Sequence, residues 1–446
     1  MTVMQYVNML CRSLSRRVSV GLIGFGVTNR AVYSRLRHCD CELTVRQREH
    51  TAIQHGCRGI FGEHYLDGID EDVLFLSPTV RRDAPELIGA HARGVILTSE
   101  CEVFFAGEDR PLTLVVTGSD GKSTVTKMAS EMLGAAAVGN IGVPYSLLEG
   151  EDRYVCELSS FNLNCFSPRS DGCVITNVTP NHLNWHSSLS EYISSKANAL
   201  KNSQRAVLCA DDEISRGFIR GGETLFSLKK ERRELCDLGA AFTVYLSDGT
   251  VYIDDEPIIN ARELSQGQSY NILNFMAAIG LVHRLVDPQK MREVGRNFSP
   301  LAHRCEVVHS SCDGVTFIDS SIDTTPQRTK NTLEGLGRRV LLLLGGRGKG
   351  LSYEPMLDAI GKYALAVAAY GDAAEDIAEL FQLKACLRHI PFSSHLGFDD
   401  ALTSLVNRAR NGQTVLLSPS ATGYGEFLNF EKRGERFATL AKLLRP

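Results

Sequence analysis

Leu112-Thr113-Leu114-Val115-Val116-Thr117-Gly118-Ser119-Asp120-Gly121-Lys122-Ser123-Thr124 decides how the rest of the chain is read. An apolar run ends in a glycine-rich loop and passes into a polar helix start near Lys122, so strand, turn and helix follow one another without a gap. Glycines let backbone N–H groups turn towards phosphate oxygens, and the helix N-terminus adds partial positive charge. Lys122 can reach a β- or γ-phosphate, and the Ser123 or Thr124 hydroxyl can hold Mg²⁺. Gly118, Ser119, Asp120, Gly121, Lys122, Ser123 and Thr124 are therefore the expected ATP cradle. The spacing departs from Walker A, because Val116 stands where the first glycine would be. A glycine turn with a chance lysine is the plainer alternative, and the strand and helix on either side argue against it. Asp120 sets a negative charge beside the phosphates, which is unfavourable unless a cation compensates it.

Similar apolar runs recur outward from this stretch: VSVGLIGFG (18–26), YVCELSS (154–160), GCVITNVTP (172–180), RAVLCADD (205–212), VLLLLGG (340–346), ALAVAAYG (364–371) and TVLLSPS (414–420). Near-continuous apolar strands separated by helical stretches mark parallel sheets buried on both faces. FTVYLSDGTVYIDD reads as a hairpin turned by Asp248-Gly249, expected at the edge of the middle domain. Breaks at Gly107-Glu108-Asp109-Arg110-Pro111 and Asn297-Phe298-Ser299-Pro300 divide the chain into three expected domains, about 1–106, 107–297 and 298–446. The fold class that follows is α/β, with a Rossmann-like first domain, a central P-loop ATPase domain on a parallel sheet and a Rossmann-like last domain.

Composition removes whole classes. With 43% hydrophobic and 22% charged residues among 446, the chain has too few apolar positions for membrane spans and too many for disorder. A net charge of −4 leaves no global basic footprint, and Lys229-Lys230-Glu231-Arg232-Arg233 is too short for a nucleic-acid stripe, so no nucleic-acid partner is expected. Thirteen cysteines, an odd number without a C-x-x-C pair, read as reduced thiols of a cytoplasmic protein. The opening MTVMQYVNMLCRSLSRR carries its charges after the apolar part and reads as a short helix.

Phosphate chemistry calls for a metal held by oxygen or imidazole ligands at the carboxyl ends of neighbouring strands. Glu157, an acid inside an apolar strand, and His182, just after GCVIT, lie at such ends. A buried strand glutamate requires a metal or an arginine beside it. His186, next to the only tryptophan, Trp185, reads as a packing or capping residue. The turn Gly24-Phe25-Gly26 after VSVGLI suits a pyrophosphate, but Asn29 replaces the third glycine of the dinucleotide fingerprint. Arg46 and Arg48 occupy the stretch where an acidic ribose binder would be sought, which favours a diphosphate or uracil partner over NAD.

The order G-x-x-G-K-S-T, GNIG (139–142), ELSSF (157–161), NVTPNHLNWH (177–186), SSKANAL (194–200), YNILNFMAA (270–278), AHR (302–304), DSS (319–321), GGRGKG (345–350) and SPS with F and KRG in the tail (418–437) resembles the Mur ligase family over nearly the whole chain. The resemblance implies an ATP-dependent ligase working through an acyl phosphate. In the branch favoured by GFGVT (24–28) and by the tail, it implies addition of D-glutamate to UDP-N-acetylmuramoyl-L-alanine. It implies that Val27, Thr28, Arg48 and Ser77 contact the UDP moiety and Asn140 the muramoyl part. By the same resemblance, Asn271 and Asn274 hold adenine, Arg304 the γ-phosphate, and Asp319 the ribose or the hinge between domains. Ser123 or Thr124 with Glu157 would form one Mg²⁺ site and His182 a second, joined by Lys196, carried in the family as a CO₂-derived carbamate. Lys349, Ser418, Tyr424 and Phe427 would sit over the incoming amino acid. A monomer with no membrane partner is expected.

Two departures bear on the amino acid: DSSIDTTP (319–326) lacks the lysine of the familiar D-S-K-A-T-N segment, and Gly423 stands where a serine is familiar. Thr324, Thr325 or Arg328 could substitute. A ligase for another amino acid, a non-catalytic nucleotide-binding member of the fold and a NAD-dependent oxidoreductase are the rival readings.

Overall fold

The computed structural model describes residues 1–53, 57–107, 110–148, 150–183, 185–265, 267–299, 301–348 and 351–446. Three main sheets form in sequence order, and two compact units hold them. Met1–Gly267 with Asn271–Phe298 make the first unit; Gln268–Tyr270 with Ser299–Pro446 make the second.

The first sheet runs Arg58–Phe61, Cys41–Gln47, Val18–Ile23, Val73–Leu76, Ile96–Thr98 in spatial order, all parallel. Two half-sheets thus wind outward from Val18–Ile23, and a crevice opens where the winding reverses, beyond Ile23 and Leu76. Gly24 and Ser77 follow those two strand ends, so the sheet delivers two of the expected UDP-site segments to one place. The leading helix Val3–Leu14 forms as expected, closed by a capping box between Thr2 and Gln5 and burying Val3, Val7 and Leu10. Such a cap contributes about 1 kcal/mol.

Nine strands build the second sheet. Seven are parallel, in the order Ala136–Gly139, Arg153–Glu157, Leu112–Thr117, Gly172–Ile175, Ala206–Cys209, Thr224–Ser227, Phe242–Ser247. The hairpin turns at Asp248 and Gly249, both with positive φ, and its outer strand Thr250–Ile253 is itself covered by Glu256–Asn260. The hairpin is therefore next to the edge, because the following residues supply one more strand. Helix Ser269–Val282 is apolar nearly all round, and from Phe275 to Val282 every residue is buried, as expected of a helix packed on several sides. Emptying its Phe275, fully buried in the central core, would cost about 3–5 kcal/mol.

The third sheet, in the second unit, runs Glu306–Ser310, Thr316–Asp319, Thr414–Ser420, Val340–Gly345, Ala364–Tyr370, Phe392–His395, parallel except for the first pair. Arg433, from helix Phe430–Leu444, is completely buried under the strand ends. It donates to the Ser321 hydroxyl and to the carbonyls of Ser321 and Ala421, so one guanidinium ties loops that follow two different strands.

Candidate active site

The phosphate loop closes on the second sheet's central strand. Helix Lys122–Leu133 begins at Gly121, which is left-handed at φ 81° and gives the helix no side-chain cap. A helix start behind a glycine loop is a favourable seat for phosphate. A Cβ on Gly121 would lie 2.1 Å from Asn274 Oδ1, and one on Gly118, at φ 143°, would lie 1.9 Å from Thr176 Oγ1. Only glycine fits at either place. Thr176 Oγ1 donates to the Asp120 carbonyl at 2.6 Å, and Asn177 Oδ1 accepts from the Asp120 N–H at 3.0 Å. The Ser119 hydroxyl donates to the Thr179 carbonyl at 2.9 Å and lies 2.7 Å from the Tyr192 hydroxyl. The loop is therefore pre-shaped by the segment 176–179 and by Tyr192.

Two lysines converge on one carbonyl. Lys122 Nζ donates to Gly118 O at 3.0 Å and to Ser119 O at 2.9 Å, and Lys196 Nζ donates to the same Gly118 O at 2.6 Å. Lys196 is buried and stands 4.6 Å over the Tyr192 ring, one turn before it on helix Leu189–Ala197. Burial holds the Lys196 amine well below the ordinary lysine range; the nearby Lys122 charge adds to this, and Asp120 and Glu157 oppose it.

Glu157 closes the other side. Its side chain is buried; Oε1 accepts from Asn140 Nδ2 at 3.1 Å, while Oε2 finds no donor among the described residues. An orphaned, buried carboxylate oxygen fits a divalent cation, so Glu157 suits Mg²⁺. His182 sits at φ 55° with its ring 4.9 Å from that of Phe161. Asn274 Nδ2 donates to Asn271 Oδ1 at 3.2 Å, and Asn274 is the residue that lies against Gly121 of the loop.

At the first sheet's crevice, Ser77 packs against Gly24, whose added Cβ would come within 3.0 Å of Ser77 Cβ. Val27 is 65% exposed at the start of helix Val27–Leu36, which Gly26 leaves without a side-chain cap, and Thr28 follows it. Asn29 is buried and donates to the carbonyls of Ile23, Gly24 and Phe75: in place of a third glycine, an amide braces the turn. Arg46 is not available to a ligand. It is fully buried, paired with Glu71 at 2.7 Å, and bonded to the carbonyls of Tyr65, Asp67 and Gly68. Arg48 is exposed and paired with the equally exposed Glu63 at 2.6 Å.

In the second unit, Asp319 is buried, and its Oδ2 lies 2.6 Å from His303 Nδ1; this hydrogen bond raises the His303 pKa above its ordinary value. Arg304 neighbours it in sequence. Of the amino-acid residues expected from the family, Tyr424 is 59% exposed, Phe427 packs edge-on to Phe398 at 5.1 Å, and Ser418 is fully buried. The Ser418 hydroxyl donates to Asp323 Oδ2 at 2.8 Å, and burial raises the Asp323 carboxyl. Lys349 lies outside the described residues. A side chain at Gly423 would approach the Asn429 carbonyl to 2.8 Å, so the missing serine reflects a tighter loop.

Sequence reasoning passed over Thr176, Asn177 and Tyr192. Tyr192 lies four residues before Lys196, the spacing that stacks side chains on one helix face, and this was the legible signal. Asn177 stood inside a noted motif, but only folding turns its amide towards residue 120.

An uncapped helix behind a glycine loop, two converging lysines and an orphaned buried carboxylate oxygen define a P-loop enzyme that works on a nucleoside triphosphate. The chain belongs to the Mur ligase family: the Mur ligase middle domain matches residues 116–282, and the Mur ligase glutamate ligase domain matches 303–421. It is 30% identical to a UDP-N-acetylmuramoylalanine–D-glutamate ligase of Clostridium beijerinckii, over 95% of this chain and 96% of that one. It is 32% identical to the ligase of that name from Acetivibrio thermocellus, over 94% and 95%. Among solved structures, the UDP-N-acetylmuramate–alanine ligase of Thermotoga maritima matches with a TM-score of 0.62 at 19% identity, over 96% of this chain and all of that one. A pseudomurein peptide ligase of Methanothermus fervidus matches at 0.57 and 13%, with the same coverage. Both share the fold.

Proposed function

We propose that this chain joins the amino group of D-glutamate to the alanyl carboxylate of UDP-N-acetylmuramoyl-L-alanine, at the expense of ATP, in cytoplasmic peptidoglycan precursor synthesis. The convergence of Lys122 and Lys196 beside the orphaned Glu157 oxygen supports the chemistry; the relatives, over nearly their whole length, support the choice of substrates. The chain is read as three working modules, 1–106 for the UDP substrate, 107–297 for ATP and 298–446 for the amino acid, acting as a monomer. No described helix is long and apolar enough to cross a membrane.

In the reaction, a carboxylate oxygen takes the γ-phosphoryl group from ATP, giving an acyl phosphate and ADP. The amine then attacks that carbonyl carbon, a proton leaves the nitrogen, and phosphate departs as the amide forms. Lys122 would exchange its two backbone carbonyls for phosphate oxygens, neutralising charge as it spreads in the transition state. The helix N-terminus at Gly121–Thr124 would orient the same phosphates. Ser123 or Thr124 with Glu157 would hold one Mg²⁺, and His182 with Lys196 a second; bound Mg²⁺ supplies electrostatic neutralisation of the phosphate oxygens. Burial, by lowering the Lys196 pKa, favours the free amine over the ammonium. That amine can attack the carbon of CO₂ and release a proton, which replaces a cation with a carboxylate able to ligate metal. Asn271 with Asn274, Arg304 and Asp319 are assigned to ATP, and Val27, Thr28, Arg48, Ser77 and Asn140 to the UDP substrate. Lys349 and Tyr424 are assigned to the amino acid, with Ser418 and Phe427 supporting that pocket from beneath.

Phosphate release with UDP-N-acetylmuramoyl-L-alanine and a panel of D- and L-amino acids tests this reading. Turnover is expected with D-glutamate; turnover with L-lysine and none with D-glutamate would keep the ligase and overturn the acceptor, which the altered segment at 319–326 and Gly423 make the second reading. Removing dissolved CO₂ should lower the rate, and bicarbonate should restore it more completely as pH rises, since only the unprotonated Lys196 amine reacts.

A further inference from the structure

Loop 77–83 follows the first sheet's switch-point strand, and residues 185–191 lead into the helix of Lys196, with the N–H groups of Trp185 and His186 donating to the His182 carbonyl. Four contacts join them. Arg81 donates through Nη1 to the Trp185 carbonyl and through Nη2 to Glu191 Oε1 at 3.3 Å. The Arg81 guanidinium also lies 4.9 Å over the Trp185 ring, and Trp185 Nε1 donates back to the Thr79 carbonyl at 2.8 Å. Asp83 accepts from Arg81 Nε at 2.9 Å and fixes the guanidinium plane. Glu191 in turn accepts from the Ser187 hydroxyl at 2.6 Å, so the far side of the junction is also held.

From this junction, packed rings reach the ATP side. The rings of Phe161 and Trp185 are 4.6 Å apart, and those of Phe161 and His182 are 4.9 Å apart. The buried His186 ring touches Trp185 at 4.7 Å and Tyr192 at 5.3 Å. Tyr192 carries both the Ser119 hydroxyl and the Lys196 amine. Loop 77–83 thus bears, at its start, a residue assigned to the UDP substrate, and at its end a clamp on the segment that carries His182.

The geometry points to Arg81 as a positioning residue that makes these two loops move as one body, so that filling the UDP-substrate crevice fixes His182 and Lys196 for Mg²⁺ and ATP. The inference rests on the substrate reading above and adds a coupling between the two sites. Such a coupling is reciprocal and commonly amounts to about 5–150-fold in affinity. Spatial continuity alone does not establish it; a variant that uncouples the sites does.

The test is calorimetric binding of a non-hydrolysable ATP analogue with Mg²⁺, in the presence and absence of UDP-N-acetylmuramoyl-L-alanine. In the parent chain the UDP substrate is expected to tighten the analogue at least about fivefold, and the fluorescence of Trp185, the only tryptophan, should shift as the UDP substrate binds. Arg81→Ala should bring the factor to about one, with Arg81→Lys retaining part of it. Should Arg81→Ala not fold, Trp185→Phe, which removes the indole N–H to Thr79 and shrinks the ring under Arg81, is expected to lose part of the coupling. Absence of coupling in the parent chain, or undiminished coupling in a folded Arg81→Ala or in Trp185→Phe, overturns the inference. If the UDP substrate itself does not bind, the function reading fails instead. The inference is then judged on the free protein, where Arg81→Ala should raise the Mg²⁺ midpoint for analogue binding several-fold and an unchanged midpoint refutes it.

Discussion

Gly24–Gly26 and Gly118–Gly121 both follow a buried parallel strand, and both feed a helix whose first turn has no side-chain cap. Around the first turn the charges are already spent: Arg46 is neutralised by Glu71 in the interior, Arg48 by Glu63 at the surface, and the Asn29 amide braces the turn from below. Around the second, two lysines share one carbonyl, and a buried carboxylate oxygen has no donor among the described residues. The same strand–turn–helix geometry therefore has its arginine charges neutralised beside the first turn and two lysines converging on the second. What separates them is the charge buried behind each turn.

That contrast can be broken or sharpened by substitution. The largest expected effect is structural: Arg46→Ala leaves Glu71 buried and unpaired and should cost about 3–5 kcal/mol in chemical denaturation, with little change in KM for the folded fraction. A folded variant of near-parental stability with a raised KM for the UDP substrate would return Arg46 to the binding site. Next comes Lys122→Ala, for which kcat should fall about 10²–10³-fold, as when one preorganised transition-state donor is removed, while the melting midpoint stays in place. Intact amide synthesis would remove the phosphate loop from the chemistry. The smallest effect is expected from Arg48→Ala, whose pair is exposed and screened. It should leave the midpoint unchanged and raise KM for the UDP substrate only a few-fold, an increase that shrinks as salt rises. A large loss of stability there would show that the two arginines have exchanged roles.

Much of the central cradle was legible in the chain because it is local. Gly118, Gly121, Lys122 and Ser123 lie within one strand–turn–helix passage, and their spacing is the geometry. Glu157 was legible for a different reason: an acid in the run YVCELSS must meet a partner or a metal. The two arginines of the first sheet were harder to place. Two residues apart, Arg46 and Arg48 would share one face of a continuing strand, but the strand Cys41–Gln47 ends between them, and sequence alone did not say that the 65–71 segment would cover Arg46. Ser418 reads as a site residue by position, yet its hydroxyl is turned inward to Asp323. The strands Thr224–Ser227 and Glu256–Asn260 went unread, since short runs with Thr, Ser and Pro carry little apolar signal.

By itself, the sequence determined the phosphate loop, the parallel α/β class, the family and the residues that can carry charge, since each depends on neighbours a few positions apart. Only tertiary structure decided that Lys196 shares a carbonyl with Lys122 from 74 positions away, that Arg46 is spent in the interior, and that Arg81 clamps Trp185. Those outcomes depend on which distant segments pack together, and packing is what sets burial, and burial is what sets the chemistry of a charge.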